Sequence, residues 1–466
     1  MAGILVAALL VSSLLLVHFS MRSRPLDAKR PLDEDHGLPW PEAGQASTVF
    51  SLTALFGAYF GITLILGLPA LLGLAFGTVS GLILTARLIK KRNQDSFEEF
   101  LQSVLKARGD NAIVFGVLLA GIQCCFAASE LLILREMART GLGLRGEDAT
   151  LLAMALGAIG YFYVLFGGYK AVFRTDVLQF SMIALMGAVL LSLEFHNATR
   201  GSLVPPLWPR SGYWELPALA ATGPLLYVFQ FGVASVMGLG FLVASPDTWK
   251  RVFLVVKMRR QGPRFPMFVG VGTAPFLLLI PLAALTPAIA DGPTDSGALF
   301  AGLISSDMLF VAAALGLVAS FLSSFNSALL ASVHVGLLLR RTASGVREEM
   351  SRFHWLMASA LVSIGFVFLA LSSNGNPYLL ANALLGAYSV VAGVQVGTGW
   401  KISRLREGHL IWLAVPSLLA WFVYLTSLGG LTDAPNTYQL NTVPVAALLS
   451  LVLAATCRGL VTWSTK

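Results

Sequence analysis

The chain is a succession of long apolar runs separated by short polar stretches, and that pattern leaves few folds open. A helix that crosses a bilayer needs about 20 predominantly apolar residues. Runs of that kind extend from Ala2 to Ser20 and then over about 48–66, 68–89, 111–134, 149–168, 176–194, 222–244, 266–290, 308–338, 354–373, 377–400, 410–429 and 441–457. Composition agrees, with 56% of residues hydrophobic and 12% charged, where a soluble domain carries about 25% charged residues. The expected fold is an all-α polytopic membrane protein of about thirteen transmembrane helices. Membrane lipid is its main surroundings, and a large soluble enzyme domain is excluded.

The basic excess of 32 Lys and Arg over 24 Asp and Glu does not point to nucleic acid, because the charges lie in short clusters between apolar runs. They read as topology signals. Arg22, Arg24, Lys29 and Arg30 follow the first run and no basic residue precedes it, which reverses the charge order of a signal peptide. That predicts a retained helix with its N-terminus outside, a cleaved leader being the other reading. With that start, alternate loops are cytoplasmic, and of the 32 Lys and Arg only Arg135, Arg139, Arg145, Arg200 and Arg210 fall outside. A multi-pass plasma-membrane protein with a cytoplasmic C-terminus follows.

Site chemistry of other classes is missing. Cys124, Cys125 and Cys457 give neither a disulfide framework nor metal spacing. There is no HExxH, no GxSxG and no nucleophile with a base, so the chain does not read as an enzyme, and no organic cofactor is indicated. Glu130, Asp176 and Asp307 stand near the ends of apolar runs, and a carboxylate at bilayer depth costs several kcal/mol unless paired. A central carboxylate proton relay is not expected, nor is a strongly cationic substrate.

Two spans are rich in glycine. The first, 48–66, carries Gly57 and Gly61 and runs into Gly67 and Pro69; the other opens with Gly223-Pro224 and continues through Gly232, Gly238 and Gly240. One explanation is close helix packing through small residues. The other is an interrupted helix in each of two halves of opposite orientation, which points to an inverted-repeat transporter with a site near the midplane. The run at 308–338 adds Ser320, Ser323, Ser324 and Ser327 at spacings of three and four, on one side of a helix. These hydroxyls either bond back to carbonyls one turn away or offer neutral oxygens to a hard cation, which takes about six of them.

At GGYKAVFRTDVLQ, Gly167 to Gln179, the pattern resembles the signature of the sodium:solute symporter family. Ser96 to Asn111, Ser245 to Lys257, Phe321 to Ser332 and the Gly67 to Pro69 turn are similar to further family segments in order and spacing. The resemblance implies a LeuT-type core of five plus five inverted-repeat helices with one extra helix before it and two after. The corresponding layout is an N-terminal helix at 1–20, a cytoplasmic linker at 21–47, repeat one at 48–195, an extracellular loop at 196–221, repeat two at 222–400, and two helices with a tail at 401–466.

The resemblance also implies Na⁺ as coupling ion, held by the hydroxyls of Ser323 and Ser324 and the carbonyls of Ser320, Gly57 and Phe60, with no other metal site. Asp176 matches the aspartate that attracts departing sodium; a helix N-terminal carboxylate steadied by the macrodipole is the alternative. The family's aspartate of the first core helix is replaced by Tyr59. Candidate substrate contacts are Tyr59, Thr63, Gln123, Tyr227, Gln230 and Phe231, each of which can also be plain helix packing. The implied activity is sodium-coupled import of a small organic solute, such as an amino acid or carboxylate, by alternating access. The alternative is a transport-deficient membrane sensor or scaffold that acts with a separate signalling partner.

Overall fold

The computed structural model describes residues 68–106, 112–140, 143–165, 223–257 and 307–344, with isolated positions at 172, 176, 179, 182, 188, 265, 266, 269, 270, 273, 360, 361, 363 and 364. Within these the chain is helical: α1 (Leu68–Arg92), α2 (Phe97–Lys106), α3 (Ala112–Thr140), α4 (Gly146–Leu165), α5 (Gly223–Ala244), α6 (Pro246–Lys257) and α7 (Asp307–Ser344). Among the described residues, the segments Leu71–Arg92, Phe115–Arg139, Gly146–Leu165 and Ala314–Leu339 are long and apolar enough to cross a membrane. The protein is membrane-embedded.

Local chemistry sets the helix ends. α1 closes on Lys90, Lys91 and Arg92, cations that suit the negative end of the macrodipole. Asn93 then adopts φ 45°, a left-handed conformation that asparagine tolerates better than most residues. Ser96 caps α2 by accepting from the Glu99 N–H at 3.1 Å, and Glu98 and Glu99 occupy the positive first turn. Pro246 cannot donate to the turn before it, so α5 and α6 are separate helices. The indole N–H of Trp249 donates to the Val243 carbonyl at 2.7 Å across that break.

Helices in lipid gain little from hiding apolar surface from each other and associate instead through close packing. α1 and α5 do this in parallel. A Cβ at Gly73 would strike the Phe231 carbonyl oxygen and one at Gly77 the Ser235 carbonyl oxygen, while one at Gly81 would lie 3.1 Å from the Leu239 oxygen. Gly238 returns the contact, since a Cβ there would lie 2.7 Å from the Leu74 carbonyl oxygen. The advance of four residues on each helix keeps the two backbones in register. α3 and α7 pair in the opposite sense, since Gly116 abuts Leu339 while the Cys124 thiol and the Ser332 hydroxyl lie 3.0 Å apart.

The short helices join the pairs at the end where α1 is basic. Phe97, Phe100, Leu101, Val104 and Leu105 make one buried face of α2, at the spacing of an amphipathic helix. Phe100 meets Trp249 and Phe253 of α6, and Phe97 packs edge-on against His334 of α7. Lys250 is buried, its ammonium 4.9 Å from the Phe97 ring centre.

Three sequence expectations change. α5 is continuous from Gly223 to Ala244, so Gly232, Gly238 and Gly240 do not interrupt it. Glycines facing a neighbouring backbone remove bulk without breaking hydrogen bonds, and the chain turns at Pro246. α3 reaches Thr140 and carries the fully buried Glu130 inside its span, where the sequence had placed it near an end. Arg251 and Lys250, read as topology charges, are core residues. The N-terminal helix, the linker, the extracellular loop and the C-terminal helices lie outside the described residues.

Gly77→Ala is expected to lower stability by about 1–3 kcal/mol through overpacking against α5. Gly121→Ala, where an added Cβ meets nothing within 4 Å, should cause no loss. Thermal unfolding of both purified variants checks the contrast, and equal behaviour would mean that the α1–α5 contact is looser than described.

Candidate functional site

The middle of α7 carries the densest polar surface in the described structure. Ser320, Ser323, Ser324, Asn326 and Ser327 are all buried. The Ser320 hydroxyl donates to the Gly316 carbonyl at 2.8 Å and the Ser324 hydroxyl to the Ser320 carbonyl at 3.0 Å. These two hydroxyls satisfy their protons within the helix, and their oxygens keep lone pairs for a further partner. The Ser323 hydroxyl instead leaves the helix and donates to Asp176 Oδ1 at 3.3 Å.

Asp176 is fully buried and faces Arg251 of α6. Arg251 Nη1 donates to Asp176 Oδ2 at 3.0 Å, Nε to Asp247 Oδ2 at 2.7 Å and Nη2 to Ser327 Oγ at 2.8 Å. The guanidinium has no solvent exposure. Burial opposes its charge, but the carboxylates of Asp247 and Asp176 outweigh that and raise its pKa above the ordinary arginine value. The Asn326 amide oxygen and the Gln179 amide oxygen are buried beside this network without a hydrogen-bond partner among the described residues. Gly160 of α4 lets Asn326 in, since a Cβ there would lie 2.7 Å from the amide oxygen.

The sequence-predicted residues divide accordingly. Ser320, Ser323, Ser324 and Asp176 come together. Gln123 is buried on α3, beside the Cys124 that contacts Ser332. Phe231 is partly exposed and its ring lies 5.6 Å from Phe76, on the α1–α5 pair and not on α7. Tyr227 and Gln230 are on α5 with side chains outside the described residues, and Gly57, Tyr59, Phe60 and Thr63 lie outside them altogether. Asp176 is half of a buried ion pair with Arg251. Arg251 and Asp247 were not singled out as site residues, although they are four apart in PDTWKR, a spacing that puts both on one helix face.

Chemically, the arrangement offers neutral hydroxyl and carbonyl oxygens next to a carboxylate that already holds a cation. Removing one partner of such a buried pair costs about 3–5 kcal/mol.

No family model matches the sequence, and no curated protein matches it. Among solved structures, it is similar to a Na⁺-coupled sialic acid symporter in a substrate-bound outward-open state, with a TM-score of 0.64 at 14% identity over 98% of this chain and 97% of that one. It is also similar to MhsT in complex with L-phenylalanine, with a TM-score of 0.52 at 14% identity over 91% of this chain and 100% of that one.

Ser327→Ala should cost about 1.5–3 kcal/mol because its bond is to a charged group, and Ser324→Ala about 0.5–1.5 kcal/mol because its bond is neutral and internal to α7. Thermal unfolding in choline chloride checks the order, and a larger loss for Ser324→Ala would contradict the placement of Arg251. These two solved structures have the LeuT-type fold, and that is the fold of this chain.

Proposed function

We propose that the protein is a secondary transporter that imports a small organic solute together with Na⁺ across the plasma membrane by alternating access. The observation that carries this reading is the buried hydroxyl face of α7, in a LeuT-type fold, with Ser323 bonded to the carboxylate of Asp176. A hydroxyl that donates its proton to a carboxylate turns its lone pairs elsewhere and becomes a better ligand for a cation.

The sodium cage consists of the Ser323 and Ser324 hydroxyls and the Ser320 carbonyl, completed by the carbonyls of Gly57 and Phe60. Such a neutral cage suits a monovalent ion, which needs no buried carboxylate in its inner shell. Asp176 stands on the exit side. Tyr59, Thr63, Gln123, Tyr227, Gln230 and Phe231 line the solute's path, and the solute is an amino acid, a carboxylate or a compound of similar size. The basic end of α1, with α2 and α6, faces the cytoplasm, and the N-terminus lies outside. The five-plus-five repeat within about thirteen spans is the arrangement that gives one site two access routes. The sodium:solute symporter resemblance at Gly167 to Gln179 supports the same reading.

Sodium drives the cycle only if it binds the outward-facing state more tightly than the inward-facing one. A ligand at 100 times its dissociation constant stabilises the state it binds by about 2.7 kcal/mol. The purified protein should therefore melt higher in NaCl than in choline chloride at equal ionic strength, and the shift should vanish in the Ser323→Ala/Ser324→Ala double variant. No shift in the wild type would overturn sodium coupling, and a shift kept in the double variant would move the cage elsewhere.

A further inference from the structure

Arg251 makes two kinds of bond. The bond from Nε to Asp247, 2.7 Å, lies within α6 between residues one turn apart, so it travels with α6. The bonds to Asp176, 3.0 Å, and to Ser327, 2.8 Å, leave α6 for other elements. Movement of α6 away from both α7 and the position of Asp176 breaks the second kind and keeps the first. Asp176 uses its other oxygen to accept from Ser323. One carboxylate thus touches both the arginine and the serine face.

We propose that Arg251 is a tethered cation that latches one end of the serine-lined site by occupying Asp176, competing there with the transported ion, and that Asp247 is the counterion that leaves with it. With the latch closed, the guanidinium neutralises Asp176, and a cation at Ser323 meets a carboxylate already satisfied. When α6 moves away, Asp176 is left buried without its cation, a strongly unfavourable state that a monovalent ion arriving from Ser323 relieves. Opening of the exit and departure of the ion are thereby one event. Asp247 keeps the arginine paired throughout. Its own charge also repels Asp176 across the guanidinium, so two carboxylates to one arginine hold the latch less firmly than a single pair would. The inference rests on the proposed transport cycle for the identity of the competing ion, and on the geometry alone for the latch.

The test is hydrogen–deuterium exchange of the Pro246–Lys257 and Phe97–Lys106 segments in the full-length protein, first in choline chloride so that no sodium enters the comparison. Arg251→Gln and Asp176→Asn should each speed exchange of the first segment by about tenfold or more, with the double variant no faster than either. Arg251→Lys, which retains charge but lacks the fork, should fall between these and the wild type. Asp247→Asn should slow exchange, because it leaves a one-to-one pair; a residue that only supported the fold would speed it. Unchanged exchange in Arg251→Gln and Asp176→Asn, or faster exchange in all four variants, Asp247→Asn included, would overturn the latch. Repeating the wild type in NaCl separates the two readings. Faster exchange that is lost in Arg251→Gln supports competition at Asp176, whereas no sodium effect with the choline results intact leaves the latch standing and removes sodium as its competitor.

Discussion

Inside hydrocarbon, a helix can satisfy its own backbone but gains almost nothing by covering its apolar side chains with those of a neighbour. Contact has to come from backbones brought close together or from polar groups that have nowhere else to go. Both devices are present in each group, in different proportions. α1 and α5 lean on the first: Gly73, Gly77 and Gly238 remove the side chains that would hold the two backbones apart, and the Thr85 hydroxyl adds a 3.5 Å bond to the Leu242 carbonyl. α3, α7 and the Asp176 segment lean on the second, with Ser323, Ser332 and Cys124 in bonds that cross between elements. The result is two tightly made groups with different chemistry.

The groups meet at the basic end, where α2 and α6 leave the apolar spans and the hydrophobic effect acts again. There Phe97, Phe100, Trp249 and Phe253 are buried together, each worth about 1.5–3 kcal/mol when fully removed from water. That clasp is non-directional and can re-form after sliding. The Arg251 network is directional and cannot, because a guanidinium fork fits its carboxylates in few geometries. A joint that combines adaptable apolar packing with one exacting ionic contact has the properties of a two-position element.

Much of this was legible in the sequence. The apolar runs at 68–89, 149–168 and 222–244 lie within a few residues of α1, α4 and α5, because a bilayer enforces helix length. The serine face of α7 was legible for the same reason that any helical stripe is: spacings of three and four define a side. What the sequence hid was the meaning of glycine and of charge. Gly73, Gly77 and Gly81 pack, and so does Gly238 of α5, yet composition cannot separate a glycine that breaks a helix from one that admits a neighbour. Arg251 and Lys250 sat in a basic loop of the kind that marks topology, and only their partners, Asp176, Asp247 and the Phe97 ring, made them interior residues. Partners distant by 75 positions, as Arg251 and Asp176 are, leave no local trace.

The proposed sodium-coupled cycle requires the α1–α5 group and the α3–α7 group to move against each other when sodium binds. Distances between paired spin labels in lipid nanodiscs test it most directly, with exposed Lys91 and Ile113 reporting across the groups and exposed Phe76 and Val228 reporting within one of them. The Lys91–Ile113 distribution should shift between choline chloride and NaCl while the Phe76–Val228 distribution stays fixed. A Lys91–Ile113 distance indifferent to sodium, or a Phe76–Val228 distance that moves as much, would contradict the account.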